Sequence, residues 1–137
     1  MSSIGGKVAV PYLAPYCTTK FAVTGLTESL HSELSPKGIH VAGIYPNVIR
    51  SNFMQRAVFR GKDAQDQQAR QEQLEQVLKV PVVEKPEDVA QAIWEAIAHQ
   101  KAEMIVGSAN LSVAASRLFP NLMQWFFRKT FQLKDQT

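Results

Sequence analysis

The stretch Pro15-Tyr16-Cys17-Thr18-Thr19-Lys20 decides the fold of this chain. Proline fits the first turn of a helix, where its missing N–H costs nothing, so a helix is predicted to begin near Pro15. Tyr16 and Lys20 then lie one turn apart on the same face. A lysine ammonium close to the phenol favours the phenolate, which makes Tyr16 a candidate general acid/base. By itself, this tyrosine–lysine spacing also occurs on ordinary surface helices.

Two further segments flank that helix. Upstream, Ser2-Ser3 precedes a Gly5-Gly6 turn, and downstream, Tyr45-Pro46-Asn47-Val48-Ile49-Arg50-Ser51 follows a strand-like apolar run. Together with Tyr16-x-x-x-Lys20, they resemble the S-S-x-x-G, Y-x-x-x-K and P-G-x-V-x-T motifs of the second half of the short-chain dehydrogenase/reductase family. The resemblance covers nearly the whole chain. It implies an α/β fold, the C-terminal half of a doubly wound, Rossmann-like parallel sheet.

The elements around the motif alternate as such a sheet requires. A helix over residues 15–35 is predicted to end at the stop signals Ser35-Pro36-Lys37-Gly38. An apolar strand over 39–45 follows, then a helix within 81–100 and a short strand over 103–107. The second helix is predicted to bury one stripe, formed by Val89, Ala92, Ile93, Ala96 and Ile97.

The resemblance implies roles for particular residues. In the family, the residue matching Ser3 hydrogen-bonds the substrate carbonyl oxygen, the one matching Tyr16 transfers the hydroxyl proton, and the one matching Lys20 binds the nicotinamide ribose. Ser3, Tyr16 and Lys20 are therefore the expected catalytic residues. A serine in such a turn also commonly satisfies its own backbone. The expected cofactor contacts come from Tyr16, Lys20, Pro46, Ile49 and Ser51.

One position departs from the family pattern. Asn47 stands where the family has glycine after the proline. If that position requires a positive φ, asparagine is the residue that tolerates it next best. The loop is therefore expected to persist, with a shifted cofactor pose as the alternative.

Two segments differ in composition from the rest of the chain. Residues 51–80 are polar and glutamine-rich, which is compatible with disorder, whereas the resemblance implies a helical lid over the substrate. Phe53 and Met54 are predicted to contact the substrate, with packing against the body as an equal alternative. Residues 108–137 form a basic, aromatic, helical tail. It is suited to roofing a substrate pocket, burying a dimer seam or completing the core, and contact of 117–134 with a membrane surface is the less favoured alternative.

Composition excludes several classes of protein. At 137 residues the chain is at most one domain, here a single partial domain over 1–137, and its 45% hydrophobic content is ordinary. The formal charge of +3 is mild and the basic residues are scattered, so nucleic-acid binding is not expected. The single Cys17 fits a reducing cytoplasm. We see no signal peptide and no spanning apolar run. No histidine–carboxylate cluster supports Cys17 as a nucleophile, so a structural role is favoured for it, and no metal site is predicted.

The cofactor-binding half of such an enzyme is missing from the sequence. No G-x-x-x-G-x-G turn precedes Ser2, and the residues that would select NAD or NADP are absent, although we favour NADP. The expected function is NAD(P)-dependent interconversion of a small, apolar alcohol and its carbonyl, by a fragment that is inactive alone. The alternative is a non-catalytic helical module that pairs with itself or with a full-length relative. By resemblance, a homo-oligomer is expected.

Overall fold

The computed structural model of the chain describes residues 1–49, 62–77 and 84–132. Five helices and two strands form these parts. The helices are α1 (Ala14–Leu34), α2 (Ala64–Val77), α3 (Pro86–Ala98), α4 (Asn110–Leu118) and α5 (Pro120–Gln132), and the strands are β1 (Gly43–Tyr45) and β2 (Glu103–Ile105). Short 3₁₀ turns cover Ile4–Gly6, Ser35–Lys37 and Gly107–Ala109.

Helix α1 begins and ends where its local signals predict. Pro15 lies in its first turn, and the chain leaves the helix through the 3₁₀ turn at Ser35–Lys37. Gly38 follows with φ 75°, a left-handed conformation that glycine adopts without steric cost. The prediction of a helix over 15–35 is confirmed.

The two strands pair in parallel, in the register Gly43–Glu103, Ile44–Met104 and Tyr45–Ile105. Both are shorter than predicted. Ile39 bonds back to the carbonyl of Leu34, and the Val41 carbonyl contacts His31 Nδ1 at 2.8 Å, so residues 39–42 lie against the end of α1. At the other end, Gly107 adopts φ 77° and turns the chain out of the second strand.

Helix α3 packs on this sheet through part of its predicted stripe. Val89, Ala92 and Ala96 are buried with Ile44 and Val106. The prediction that Ile93 and Ile97 are buried as well is wrong, because they are 39% and 64% exposed. A sheet of two strands covers only a narrow strip of the helix surface. The neighbouring side chains of Ile93 and Ile97 therefore remain exposed.

The tail consists of two helices, α4 and α5. They meet at Phe119, which lies outside both helices, and Pro120 occupies the first position of α5. The N–H of Met123 donates to the Phe119 carbonyl at 3.1 Å, so the corner is tied into the first turn of α5. Among the described residues, no helix combines the length and the hydropathy needed to cross a membrane.

Candidate active site

The segment that carries Ser3 lies beside the carboxyl end of β1. The N–H of Ser2 donates to the Ile44 carbonyl and the N–H of Ile4 donates to the Pro46 carbonyl, both at 2.9 Å. This alternation is the bonding pattern of a parallel ladder. Ser3 and the Pro46 loop therefore share one edge of the sheet, where ligands bind in open parallel sheets.

The Ser3 hydroxyl caps the turn that follows it. Its Oγ accepts a hydrogen bond from Gly5 N–H at 3.2 Å, which is the backbone role expected of a turn serine. A hydroxyl that accepts through one lone pair still has its own proton to donate. The cap therefore orients Ser3 without using the donor that a substrate oxygen would need.

The glycine turn lies directly against helix α1. A Cβ built on Gly5 would stand 3.0 Å from Cε1 of Tyr16, and one built on Gly6 would stand 2.6 Å from the Lys20 carbonyl oxygen. Ser2, which is buried, donates from its Oγ to that same carbonyl at 2.9 Å. The structure thus brings the Ser3 turn, Tyr16 and the Lys20 backbone together, and Ser2 joins the turn to α1.

Tyr16 and Lys20 lie on one face of α1, as their spacing predicts. Lys20 Nζ is 5.5 Å from the centroid of the Tyr16 ring, within the range of a cation–π contact. Both residues are half-buried. The ammonium of Lys20 therefore lies beside the Tyr16 ring.

The loop after β1 is held from both sides. Ile4 binds the Pro46 carbonyl, as described above, and Glu84 binds the rest of the loop: its N–H donates to the Val48 carbonyl at 2.9 Å, and it forms a parallel bridge with Ile49. Asn47 does not adopt a left-handed conformation, so its departure from glycine introduces no backbone strain. Pro46 thus lies near Ser3 and Ile49 is paired with Glu84, whereas Ser51, Phe53 and Met54 lie outside the described residues.

Glu84 was not a candidate at the sequence level. It is 5% exposed, its Oε2 accepts from Asn47 N–H at 3.4 Å, and its Oε1 has no hydrogen-bond partner among the described residues. Burial raises the pKa of this carboxyl above its ordinary value; the Asn47 N–H opposes the shift and the charge of Asp88 adds to it. A Cβ on Gly107 would overlap the carboxyl group, so glycine is required there.

A buried lysine ties the same region together. Lys7 Nζ bonds Glu28 at 2.7 Å and Glu103 at 2.6 Å, and it lies 4.3 Å above the centroid of the Tyr45 ring. Burial lowers the pKa of Lys7, but the hydrogen bonds to Glu103 and Glu28 outweigh that effect, so its pKa is raised. The turn after Ser3, helix α1 and both strands are linked through this one ammonium. No sequence pattern predicts these contacts, because Lys7, Glu28 and Glu103 are far apart along the chain.

A groove of 820 Å³ runs along another face of α1. Residues 9–11, helix α1 and helix α5 form it; the α1 residues are Ala14, Cys17, Thr18 and Phe21, and the α5 residues are Gln124, Phe127 and Arg128. Tyr16 and Lys20 are not among its lining residues. Helix α5 thus lies across this groove from α1, and the groove is separate from the face that carries the candidate catalytic pair.

The side chains at the sheet edge fit the nicotinamide–ribose part of a dinucleotide. Within the described ranges, Lys20 forms no ion pair with a carboxylate, so its ammonium can donate to ribose hydroxyls together with Tyr16. Pro46, at the start of the next loop, is bonded to the turn that packs against Tyr16. The sequence offers no glycine-rich turn for the pyrophosphate, so the fit concerns this part of the cofactor alone.

Comparison with known proteins agrees with this geometry. The short chain dehydrogenase family model matches residues 1–63. The chain is 34% identical to rat dehydrogenase/reductase SDR family member 4 over 88 residues, which is 64% of this chain and 29% of that protein. It is 33% identical to the A-factor type gamma-butyrolactone 1'-reductase (1S-forming) of Streptomyces virginiae over 108 residues, 78% of this chain and 39% of the reductase.

A third relative aligns with almost the whole chain. Dehydrogenase/reductase SDR family member 7B of Xenopus tropicalis is 26% identical over 147 residues, 98% of this chain and 43% of that protein. The chain thus spans less than half the length of these relatives. It belongs to the short-chain dehydrogenase/reductase family as a partial chain, and its mostly helical α/β structure with two parallel strands is consistent with part of a Rossmann-like fold.

Proposed function

We propose that this chain is the catalytic part of an NAD(P)-dependent oxidoreductase that interconverts a small alcohol and its carbonyl. One observation carries the proposal: the Ser3–Gly5 turn lies against the Tyr16 ring, with Lys20 on the same face and the Pro46–Ile49 loop at the same sheet edge. The proposal is supported because a proton-transfer group, a cation and a hydroxyl donor come from these neighbouring segments.

The roles follow from the chemistry of the side chains. The cofactor, when bound, supplies or accepts the hydride. Tyr16 gives its phenolic proton to the substrate oxygen or takes it back, and Lys20 donates to the ribose hydroxyls. Ser3 donates its free O–H to the substrate oxygen, where negative charge develops during the reaction. Ser51, Phe53 and Met54 remain proposed contacts to cofactor and substrate.

The chain alone is expected to bind the nicotinamide part of the cofactor weakly and not to turn over. Hydride transfer requires a cofactor that is held in place, and this sequence lacks the pyrophosphate turn that would hold it. We favour NADP over NAD as the cofactor of the complete enzyme. Measurable NADPH oxidation by the purified chain would contradict the expectation of inactivity.

An NMR titration of the chain tests the site directly. Nicotinamide mononucleotide is expected to shift the amide signals of residues 16–20 and 46–49, whereas adenosine monophosphate should leave them unchanged. Lys20→Met should abolish the shifts, and Lys37→Met, at the far end of α1, is the matched control. Equal shifts with both nucleotides, or equal losses in the two variants, would show that these residues do not form a nicotinamide site.

A chimera tests the chemistry. The amino-terminal part of the Streptomyces virginiae reductase, joined before Met1, would supply a pyrophosphate-binding turn of the same family. In an active chimera, Tyr16→Phe should lower the rate about 10²–10⁴-fold, because it removes the acid/base group. A small effect would assign the proton to another residue.

A second candidate function is a non-catalytic module that pairs through α1. Phe21 and Leu26 on this helix are 43% and 59% exposed, which favours a helical contact with another copy or with a full-length relative. Sedimentation velocity of the wild type and of Leu26→Asp distinguishes the two functions. A dimer that Leu26→Asp dissociates, in a chain without a nicotinamide response, would support the module.

A further inference from the structure

The outer surface of helix α5 carries large apolar side chains that nothing covers among the described residues. Leu122, Trp125 and Phe126 recur at helical spacing on one side of the helix and are 61%, 49% and 55% exposed. Leu118 and Phe119, at the corner before α5, are 72% and 59% exposed. We call these five residues the outer stripe. The other side of the helix, with Phe127, faces the groove against α1.

The charged residues in the sequence segment that carries the outer stripe have a single sign. The sequence holds no aspartate or glutamate from Met104 to Lys134, and its charged residues there are Arg117, Arg128, Lys129 and Lys134. Lys129 follows Phe126 on the same side of the helix, and its Nζ lies 4.8 Å from the centroid of the Trp125 ring. A basic helix with aromatic residues on its apolar side is the pattern of a helix that lies in the interface of a membrane.

Charge complementarity decides which partner fits this surface. A second copy would bring the cations of two such helices together without an acid in either helix to pair with them. Anionic lipid headgroups would meet those cations with opposite charge, while the outer stripe entered the acyl boundary. Lys129 could keep its ammonium at headgroup level while its stem lies along the Trp125 ring.

We propose that the outer stripe of α5 binds the surface of an anionic membrane, with the helix axis parallel to the bilayer plane. The chain is thereby held at the membrane with its candidate active site on α1, on the other side of the groove. The binding is independent of catalysis and of the cofactor. It can therefore be tested separately from the proposed oxidoreductase function.

Sedimentation with lipid vesicles measures the binding. The chain should sediment with vesicles that contain phosphatidylserine and not with vesicles of phosphatidylcholine alone, and high salt should weaken binding. Trp125→Ala should weaken it at least about tenfold through lost apolar burial, and Lys129→Glu at least about fivefold through reversed charge. Trp94→Ala is the matched control, because Trp94 is 66% exposed on α3, away from the outer stripe.

Depth measurements separate insertion from surface adhesion. In a Trp94→Phe background Trp125 is the remaining tryptophan, so its quenching by lipids with brominated acyl chains reports its own position. The proposal requires quenching and a blue-shifted emission. No vesicle binding, binding without quenching, equal loss in Trp94→Ala, or a dimer that Trp125→Ala dissociates would each overturn it.

Discussion

The contact between the glycine turn and α1 permits a sharp test of how the site is assembled. A methyl group on Gly6 would stand 2.5 Å from Ser2 Oγ, 2.6 Å from the Lys20 carbonyl oxygen and 2.7 Å from Thr24 Oγ1. Such distances are far inside van der Waals contact, and one of the three atoms belongs to the backbone. In Gly6→Ala, the turn must therefore move away from α1, and the bond from Ser2 Oγ to the Lys20 carbonyl is lost.

The expected cost combines two effects. Overpacking of a close contact costs about 1–3 kcal/mol, and loss of a neutral hydrogen bond adds about 1 kcal/mol. Gly6→Ala should therefore lower the free energy of unfolding by roughly 2–4 kcal/mol. This is a large effect for one methyl group, because domains of this size are only marginally stable.

Gly25 provides a matched control on the same helix. It lies inside α1, and nothing is within 4 Å of a Cβ built on it. Gly25→Ala should stabilise the chain by about 0.5–1 kcal/mol, because alanine loses less backbone entropy in a helix. Urea denaturation followed by far-UV circular dichroism measures both variants. If Gly6→Ala were as stable as the wild type or as Gly25→Ala, the turn would not be packed on α1 as described.

Two further substitutions test the buried charges. Lys7→Met should lower the free energy of unfolding by about 2 kcal/mol. This is near the lower end for lost charge-assisted bonds, because the carboxylates of Glu28 and Glu103 can rehydrate. Urea denaturation measures the change, and Lys62→Met, at an exposed lysine, is the control. Glu84→Gln should raise stability at neutral pH by about 1–3 kcal/mol. Because the folded-state pKa of Glu84 is raised, ionisation of this carboxyl opposes folding. The stability gained in Glu84→Gln should therefore be absent well below pH 4.5 and should grow as pH rises through the raised pKa. A difference between the two melting curves that does not change with pH would contradict this.

Local signals explain which parts of the fold could be predicted. Pro15 and the stop at Ser35–Gly38 delimit α1 because proline and glycine restrict the backbone at their own positions. The pairing of Tyr16 with Lys20 on one face follows from helix geometry alone. Predictions that needed only the backbone within one element were therefore confirmed.

Tertiary contacts explain what the sequence did not show. Residues 39–42 have strand-like composition, but their backbone bonds to Leu34 and His31 at the end of α1. They therefore do not extend β1. The roles of Lys7 and Glu84 have no local signal, because they depend on Glu103 and on Asn47, which are distant in sequence. The positions of Ser51, Phe53 and Met54 stay predictions.

The site depends on polar contacts more than on its small apolar core. Among the described residues, the sheet has two strands and its apolar core is the cluster against α3, which does not include the Ser3 turn or α1. What joins them is the bond from Ser2 to the Lys20 carbonyl and the ion pairs of Lys7 with α1 and β2. Such contacts are directional, so they fix the relative position of Ser3 and Tyr16 more narrowly than apolar packing would. The substitutions that weaken stability most at Gly6 and Lys7 should for that reason also weaken the nicotinamide response at residues 16–20, even under conditions where the variants remain folded.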